Sequence, residues 1–344
     1  MRYISIHNSV PGMILARHVW GPRGQILLTA NTVLKDSYIQ RLLDLQYSAI
    51  YIKSYESEPV ENLVEPVKQQ TLVQAKETLR SIVDIALSSS RIDIPKIVSI
   101  VESIVDQVLG NRDVIYNMAD IKAFDDYTFG HSVDVCVLSV MCASEMGMNK
   151  YELLDLGTGA IMHDMGKLFI PKEILSKVSH LSADDWDVIR QHPWDGFQFL
   201  RRQIPLIPAH IALQHHERFD GSGYPRGLED EAMLNLAKVT AVADSYNAMT
   251  SDRPYRRAMM PHQALPIIVR EAGRSYNPDV VKAFTRVVAE YPLGSLVRLS
   301  DGSTACVSGA TKGIYQLTIA SGPREGESIQ VSRDSELAII ERIE

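Results

Sequence analysis

The sequence predicts a mainly α protein: a helical-bundle core, a small α+β module before it and a small antiparallel β module after it. Three observations carry this. Apolar residues recur at helical spacing through most of residues 67–292. Short apolar runs of strand type occur near the two ends. Composition shifts after Pro292, where Asp301-Gly302 and Gly322-Pro323 punctuate runs of strand length.

Residues 1–60 read as the first module, with strand candidates at 26–28 and 49–52. Between them, 36–45 has helical spacing, with Ile39, Leu42, Leu43 and Leu45 apolar. A polar linker containing Pro59 and Pro66 enters a helical connector, 61–112. Its second helix carries Ile97, Ile100, Val101, Ile104, Val105 and Val108 and stops at Gly110-Asn111. This pair of helices either packs on the core or serves as a dimer surface.

The core spans 113–292. His131 should open a helix running to about 146, and 151–162 a second that delivers His163 and Asp164. Ser182 and Asp185 suggest a capping box for a helix that Pro193, after His192, should end or kink. Residues 208–216 read as helix, on which His215 and His216 would point to different sides. Gly221, Gly223, Pro225 and Gly227 make 219–228 a loop. Helix returns over 232–249 with Asp244, and Asn277-Pro278 starts another. The last module, 293–344, has strand candidates at 296–299, 304–307, 315–319 and 328–331.

Composition excludes several classes. The 344 residues carry a net charge of −7, against general binding of DNA or RNA polymers. A local cluster of arginine and lysine could still hold a small phosphate ligand. Three cysteines, Cys136, Cys142 and Cys306, show neither metal-type nor redox-type spacing and fit a reducing compartment. The N-terminus lacks the apolar run of a signal peptide, and no stretch reaches the ~20 apolar residues of a membrane span. The expected location is cytoplasmic, with no membrane association.

Chemistry concentrates in His131, His163, Asp164, His192, His215, His216 and Asp244. Imidazole plus carboxylate without thiolate favours iron, manganese, nickel or zinc in a catalytic site over a structural zinc knot. Two such ions can share a hydroxide and clamp a phosphoryl oxygen, which suits phosphodiester hydrolysis. Asp244 sits among Val242, Ala243 and Met249, where an unpaired carboxylate would be costly. Glu217 reads as support for a histidine. Arg257, His180, His210 and His262 read as structural or solvated, and Asp125 and Asp126 as local order around the His131 helix.

These residues resemble the HD-GYP family, within the HD superfamily of metal-dependent phosphohydrolases. His163-Asp164-Met165-Gly166-Lys167 matches its HDxGK element. His215-His216-Glu217-Arg218-Phe219-Asp220-Gly221-Ser222-Gly223-Tyr224-Pro225 matches its HHE…DGxGYP element. The 126–132 stretch resembles the opening of the family core, and Asp252-Arg253-Pro254-Tyr255-Arg256 follows Asp244 at family spacing. The resemblance covers about 115–292, roughly half the chain.

It implies an HD-type helical bundle and a cyclic-di-GMP phosphodiesterase, yielding linear pGpG or, further, GMP through a metal-bridging hydroxide. The implied ligands are the seven residues above, with Asp164 bridging two divalent ions, iron foremost and manganese, nickel or zinc as alternatives. Asp164 and Lys167 would be catalytic. Lys167, Tyr224, Arg253 and Arg256 would bind substrate. Some members bind a third metal through a glutamate four residues before the first histidine. Tyr127 holds that place here, which implies a binuclear site. Two alternatives stand beside this reading: a weakly active or inactive sensor or scaffold, and a phosphodiesterase for another cyclic dinucleotide such as cyclic GMP-AMP. The loop around Tyr224 could meet a diguanylate cyclase or another signalling protein, and the chain could form a homodimer.

Overall fold

β1 (Arg2–Ser5) pairs antiparallel with β4 (Ala49–Ile52), while β2 (Val19–Trp20) and β3 (Ile26–Leu28) form a separate hairpin. Helix α1 (Asp36–Asp44) packs Leu42 into a small core with Ile4, Ile6, Leu15, Leu34 and Ile50. The computed structural model describes residues 1–21, 25–45, 47, 49–53, 65–117, 127–175, 177, 180–251, 258–332 and 335–343, the side chains of 127 and 128 excepted. Asp125, Asp126, Arg253, Arg256, Arg257, most of the linker and the Tyr127 side chain lie outside the described residues.

Helices then follow: α2 (Gln69–Ser89), α3 (Ile94–Gly110), α4 (Tyr127–Glu145) and α5 (Lys150–Ile161). A 3-10 turn (Met165–Phe169) leads to the short α6 (Lys172–Leu175) and α7 (Ala183–Ile189). Next come α8 (His192–Leu200), α9 (Leu206–Gln214), α10 (Asn235–Thr250), α11 (Pro261–Arg270) and α12 (Pro278–Val287). The fold class is mainly α. Helices α2 to α5 and α8 to α12 contribute to one apolar core. The apolar stripe of α3 is buried in it against α4 and α5, so its hydrophobic face is consumed within the chain. Among the described residues, no helix is long and apolar enough to cross a membrane.

Local sequence explains several boundaries. Asn149 and Glu152 form a capping box that starts α5, and Ser182 and Asp185 do the same for α7. Asn277 accepts from the amides of Asp279 and Val280, and Pro278 fits the first turn of α12, where no amide donor is needed. Pro193 works the same way. It stands at the start of α8 instead of ending the preceding helix, so His192 opens α8. Helix α4 begins at Tyr127, which puts His131 in its second turn instead of at its mouth.

The C-terminal strands β5 (Leu296–Leu299), β6 (Thr304–Thr311), β7 (Ile314–Ser321), β8 (Ser328–Val331) and β9 (Ile339–Ile343) form one antiparallel sheet in the order β8-β7-β6-β5-β9. Strands β1, β2 and β9 were not anticipated: β1 and β9 depend on partners distant in sequence, and β2 has only two residues. The two ends of the chain meet. Tyr3 N–H donates to Gly294 O at 2.9 Å, and the buried Arg342 donates to Tyr3 O at 3.0 Å. Tyr3, Ala49 and Tyr51 also pack against Met260, at the head of α11.

One glycine positions the site directly. The 3-10 turn crosses α8 so closely that a Cβ on Gly166 would lie 1.8 Å from His192 O and 2.6 Å from Gly196 N. Both neighbours are backbone, so relief requires moving α8. Gly166→Ala should therefore destabilise the fold by roughly 1–3 kcal/mol or more, as overpacking against a fixed backbone does. Denaturant unfolding checks this; a variant as stable as the parent would show that the crossing has slack.

Candidate metal centre

Helix ends deliver most of the histidines. His163 follows the end of α5, His192 opens α8 directly after α7, and His215 caps α9. Carbonyls in the last turn of a helix lack an amide partner within the helix. Each of these histidines gives its Nδ1–H to one of them. His163 uses Ala160 O at 2.7 Å, His192 uses Ile189 O at 2.7 Å and His215 uses Ala212 O at 2.8 Å. Ile189 is available because the residue four positions on is Pro193, which has no N–H to offer it. His131, inside α4, instead places Nδ1 2.9 Å from Asn247 Oδ1.

With Nδ1 engaged, Nε2 of each ring turns inward. Asp164 lies between two groups of them. Its Oδ2 is 3.4 Å from His163 Nε2 and 3.8 Å from His131 Nε2. Its Oδ1 is 3.5 Å from His192 Nε2 and 3.8 Å from His215 Nε2. Asp244, from α10, sits 3.1 Å from His131 Nε2 and 3.9 Å from His163 Nε2 through Oδ1, and 3.9 Å from His216 Nδ1 through Oδ2. Two triads, His131–His163–Asp164 and His192–His215–His216, each hold donor atoms within 4.8 Å of one another. His215 and His216 do not point to different sides of a helix: α9 stops at Gln214, and their rings lie 4.1 Å apart on the same site.

The donor set fits cations and fits poorly without them. His192 Nε2 and His215 Nε2 are 3.2 Å apart, and the proton of each ring is already committed at Nδ1. Burial drives both rings toward the neutral form: it pushes His192 down to about 4 and His215 well below the usual histidine range. Burial likewise pushes His216 down to about 3. The two nitrogens therefore face each other lone pair to lone pair, an arrangement relieved by a positive charge between them. His163 Nε2 is buried without a hydrogen-bond partner among the described residues. Burial alone would raise Asp164, but His163 and Lys167 outweigh it and hold the carboxyl well below its usual range. Burial also opposes ionisation of Asp244, and the bond and charge of His131 reverse the direction. His163 moves upward: burial would lower it, and the charge of Asp164 more than compensates. Ionised Asp164 and Asp244 beside the neutral imidazoles of His192, His215 and His216 form an environment that attracts a divalent ion.

Lys167 stands at the rim, with Nζ 2.5 Å from Asp164 Oδ2 and about a third of its side chain exposed (32%). Tyr224 stacks on His216 at 4.8 Å, and the Arg190 guanidinium lies 5.8 Å from the Tyr224 ring centroid. Arg190 had no sequence signal beyond standing two residues before His192. Glu217 does not support a histidine. Its buried carboxylate accepts from Arg226 N–H at 2.8 Å and Leu228 N–H at 2.9 Å, anchoring the glycine-rich loop. The loop crosses over it so tightly that a Cβ on Gly223 would lie 2.5 Å from Glu217 Cα. Asn247 also went unread, although it stands one helical turn after Asp244 and so on nearly the same face of α10. His210 and His262 lie outside the two triads.

Comparison with known proteins agrees with this geometry. Residues 113–280 match the HD domain family. The chain is 33% identical over 249 residues to a cyclic di-GMP phosphodiesterase of Pseudomonas aeruginosa, covering 71% of this chain and 60% of that protein. It is 40% identical over 169 residues to a cyclic di-GMP phosphodiesterase of Thermotoga maritima, covering 48% and 46% respectively. The chain thus spans about half the length of these relatives. A solved HDG"Y"P protein from Bdellovibrio bacteriovorus shares the fold with a TM-score of 0.51 at 15% identity, over 82% of this chain and 97% of that one.

Opposed lone pairs have a thermodynamic signature. Ions that bind the folded chain alone stabilise it by mass action, by about 2.7 kcal/mol at a hundredfold excess over the dissociation constant. Adding Mn(II) or Fe(II) to chelator-treated protein should raise the unfolding temperature by several degrees, and excess chelator should reverse it. A melting curve indifferent to both would contradict the fit.

Proposed function

The chain belongs to the HD-GYP branch of the HD domain family, and on that premise we propose that it is a metal-dependent phosphodiesterase that opens cyclic di-GMP to linear pGpG. The observation that carries the proposal is the convergence of five imidazoles on two ionised carboxylates beside a lysine. The relatives named as cyclic di-GMP phosphodiesterases support the substrate. We assign the catalytic unit to 113–292 and treat 1–60, 61–112 and 293–344 as ancillary.

Divalent ions held here would supply Lewis acidity toward a phosphoryl oxygen and a water made nucleophilic near neutral pH. His131, His163, Asp244 and Oδ2 of Asp164 would hold one ion. His192, His215, His216 and Oδ1 of Asp164 would hold the other. The absence of thiolate favours iron, with manganese, nickel and zinc as alternatives. Tyr127 in place of a further carboxylate supports two ions over three.

The side chains around that core divide the remaining work. Lys167 meets a non-bridging phosphate oxygen and offsets the charge that grows as water attacks phosphorus and the 3′ oxygen leaves. One P–O bond forms, the P–O3′ bond breaks, and a proton reaches the departing oxygen. Tyr224, held by its stack on His216, borders the nucleotide. Glu217 keeps the loop carrying Tyr224 in place. Arg253 and Arg256 are assigned to the substrate phosphates, where a guanidinium fork matches two oxygens.

Protein loaded separately with Fe(II), Mn(II) and Ni(II) should convert cyclic di-GMP to pGpG with at least one metal. Asp164→Asn should lower kcat by about 100-fold or more, and Lys167→Met by roughly 10- to 100-fold, the range for losing one charge-stabilising group. Turnover of cyclic GMP-AMP in place of cyclic di-GMP would redirect the substrate. Binding without turnover under all three metals, unchanged by His163→Ala, would replace the enzyme with a sensor.

A further inference from the structure

We propose that Asp134 and Asn247 form a relay that sets the tautomer of His131, making both of them positioning residues of the metal centre; this rests on reading His131 as a ligand. The other inward-facing Nε2 atoms are set by carbonyls at helix ends. His131 lies within α4, four residues after its start, where the carbonyls around it serve the helix. Its Nδ1 therefore finds a side chain on another helix, Asn247 of α10, at 2.9 Å. Both residues are buried.

An asparagine can present either end of its amide, and the two ends demand opposite tautomers of the histidine. One further contact decides the matter, and a second agrees with it. Asp134 Oδ2 lies 3.3 Å from Asn247 Nδ2, and a carboxylate can only accept there. Ser251 Oγ shares its one proton between Asn247 O at 2.7 Å and Asn247 Oδ1 at 3.1 Å, which suits an oxygen at that end of the amide. The amide nitrogen is thus committed to Asp134 and the amide oxygen faces His131. His131 Nδ1 must be the donor. Its Nε2 is left as a lone pair aimed between Asp244, 3.1 Å away, and Asp164, 3.8 Å away.

The relay is built on the two helices that carry the ligands it serves. Asp134 stands three residues after His131 on α4, and Asn247 three residues after Asp244 on α10. Packing α4 against α10 therefore aligns ligand with ligand and support with support in one step. The polarity of the relay requires one acid and one amide in this pair. Two carboxylates at 3.3 Å would repel, and two amides would lose the charged acceptor that fixes the flip.

The test uses the full chain. Metal affinity is read by competition with a chromophoric chelator for Mn(II), and the His131 tautomer by long-range proton–nitrogen spectra of metal-free, histidine-labelled protein. Asn247→Leu should weaken metal affinity about 10- to 100-fold and mix the His131 tautomers, while the signals of His163, His192 and His215 stay as in the parent. Asn247→Asp should also weaken binding. Asn247→Asp combined with Asp134→Asn restores one acceptor toward His131 and one donor toward it in turn, and should bring affinity back to within about threefold of the parent. The double exchange keeps the net charge of the chain, so a packing role alone would give no such rescue. Affinity and tautomer both unmoved by Asn247→Leu, or a double variant no better than Asn247→Asp, overturns the relay. His131→Ala without effect on affinity overturns the ligand reading beneath it.

Discussion

The site depends on a single constraint: four of its five histidines, His131, His163, His192 and His215, turn Nδ1 away from the centre. Carbonyls at the ends of α5, α7 and α9 take the Nδ1 proton of three rings, and Asn247 takes that of His131. What remains is an inward array of nitrogen lone pairs around two carboxylates. In water such an array would relax by protonation or rotation. Here burial holds the His192, His215 and His216 rings neutral, and the helix ends hold three of the rings in orientation. The helical bundle is therefore a device for assembling acceptors that have no mutual affinity and share only an attraction for a cation.

Much of the surrounding architecture serves that assembly. Gly166 lets the turn after His163-Asp164 lie on α8, which brings His192 to the opposite side of Asp164. Asp164 can face two groups at once because its two oxygens diverge between those elements. Glu217 pins the glycine-rich loop by two backbone amides, so Tyr224 arrives beside His216 without contributing to the ligand set. The N-terminal module touches the bundle where Tyr3 and Tyr51 pack on Met260, at the start of α11.

Sequence conveyed the chemistry better than the geometry. Donor types and their order along the chain were readable, because imidazole and carboxylate without thiolate already restrict the ions that fit. Capping residues such as Ser182 and Asn277 marked helix starts by local hydrogen bonding, which acts within a few residues. The failures share a cause: the deciding contact was distant or depended on where a helix stops. Pro193 opened a helix because α7 had already ended at Ile189. His215 and His216 converged because α9 released the chain at Gln214. Glu217 and Asn247 looked like candidates for other tasks, or none, until the loop amides and His131 Nδ1 were brought to them by folding. The strands β1 and β9 were silent for the same reason, each being stabilised by partners far along the chain.

The central claim is that the two faces of Asp164 serve two separate cation sites. Metal quantification on protein purified without oxygen tests it most directly, with the His192→Ala and His131→Ala variants measured alongside. The account predicts about two divalent ions per chain in the parent, the number of ions that two such donor groups accommodate, with occupancy falling in each variant. A parent chain that retains no divalent ion, or one whose ion content ignores both substitutions, would contradict it.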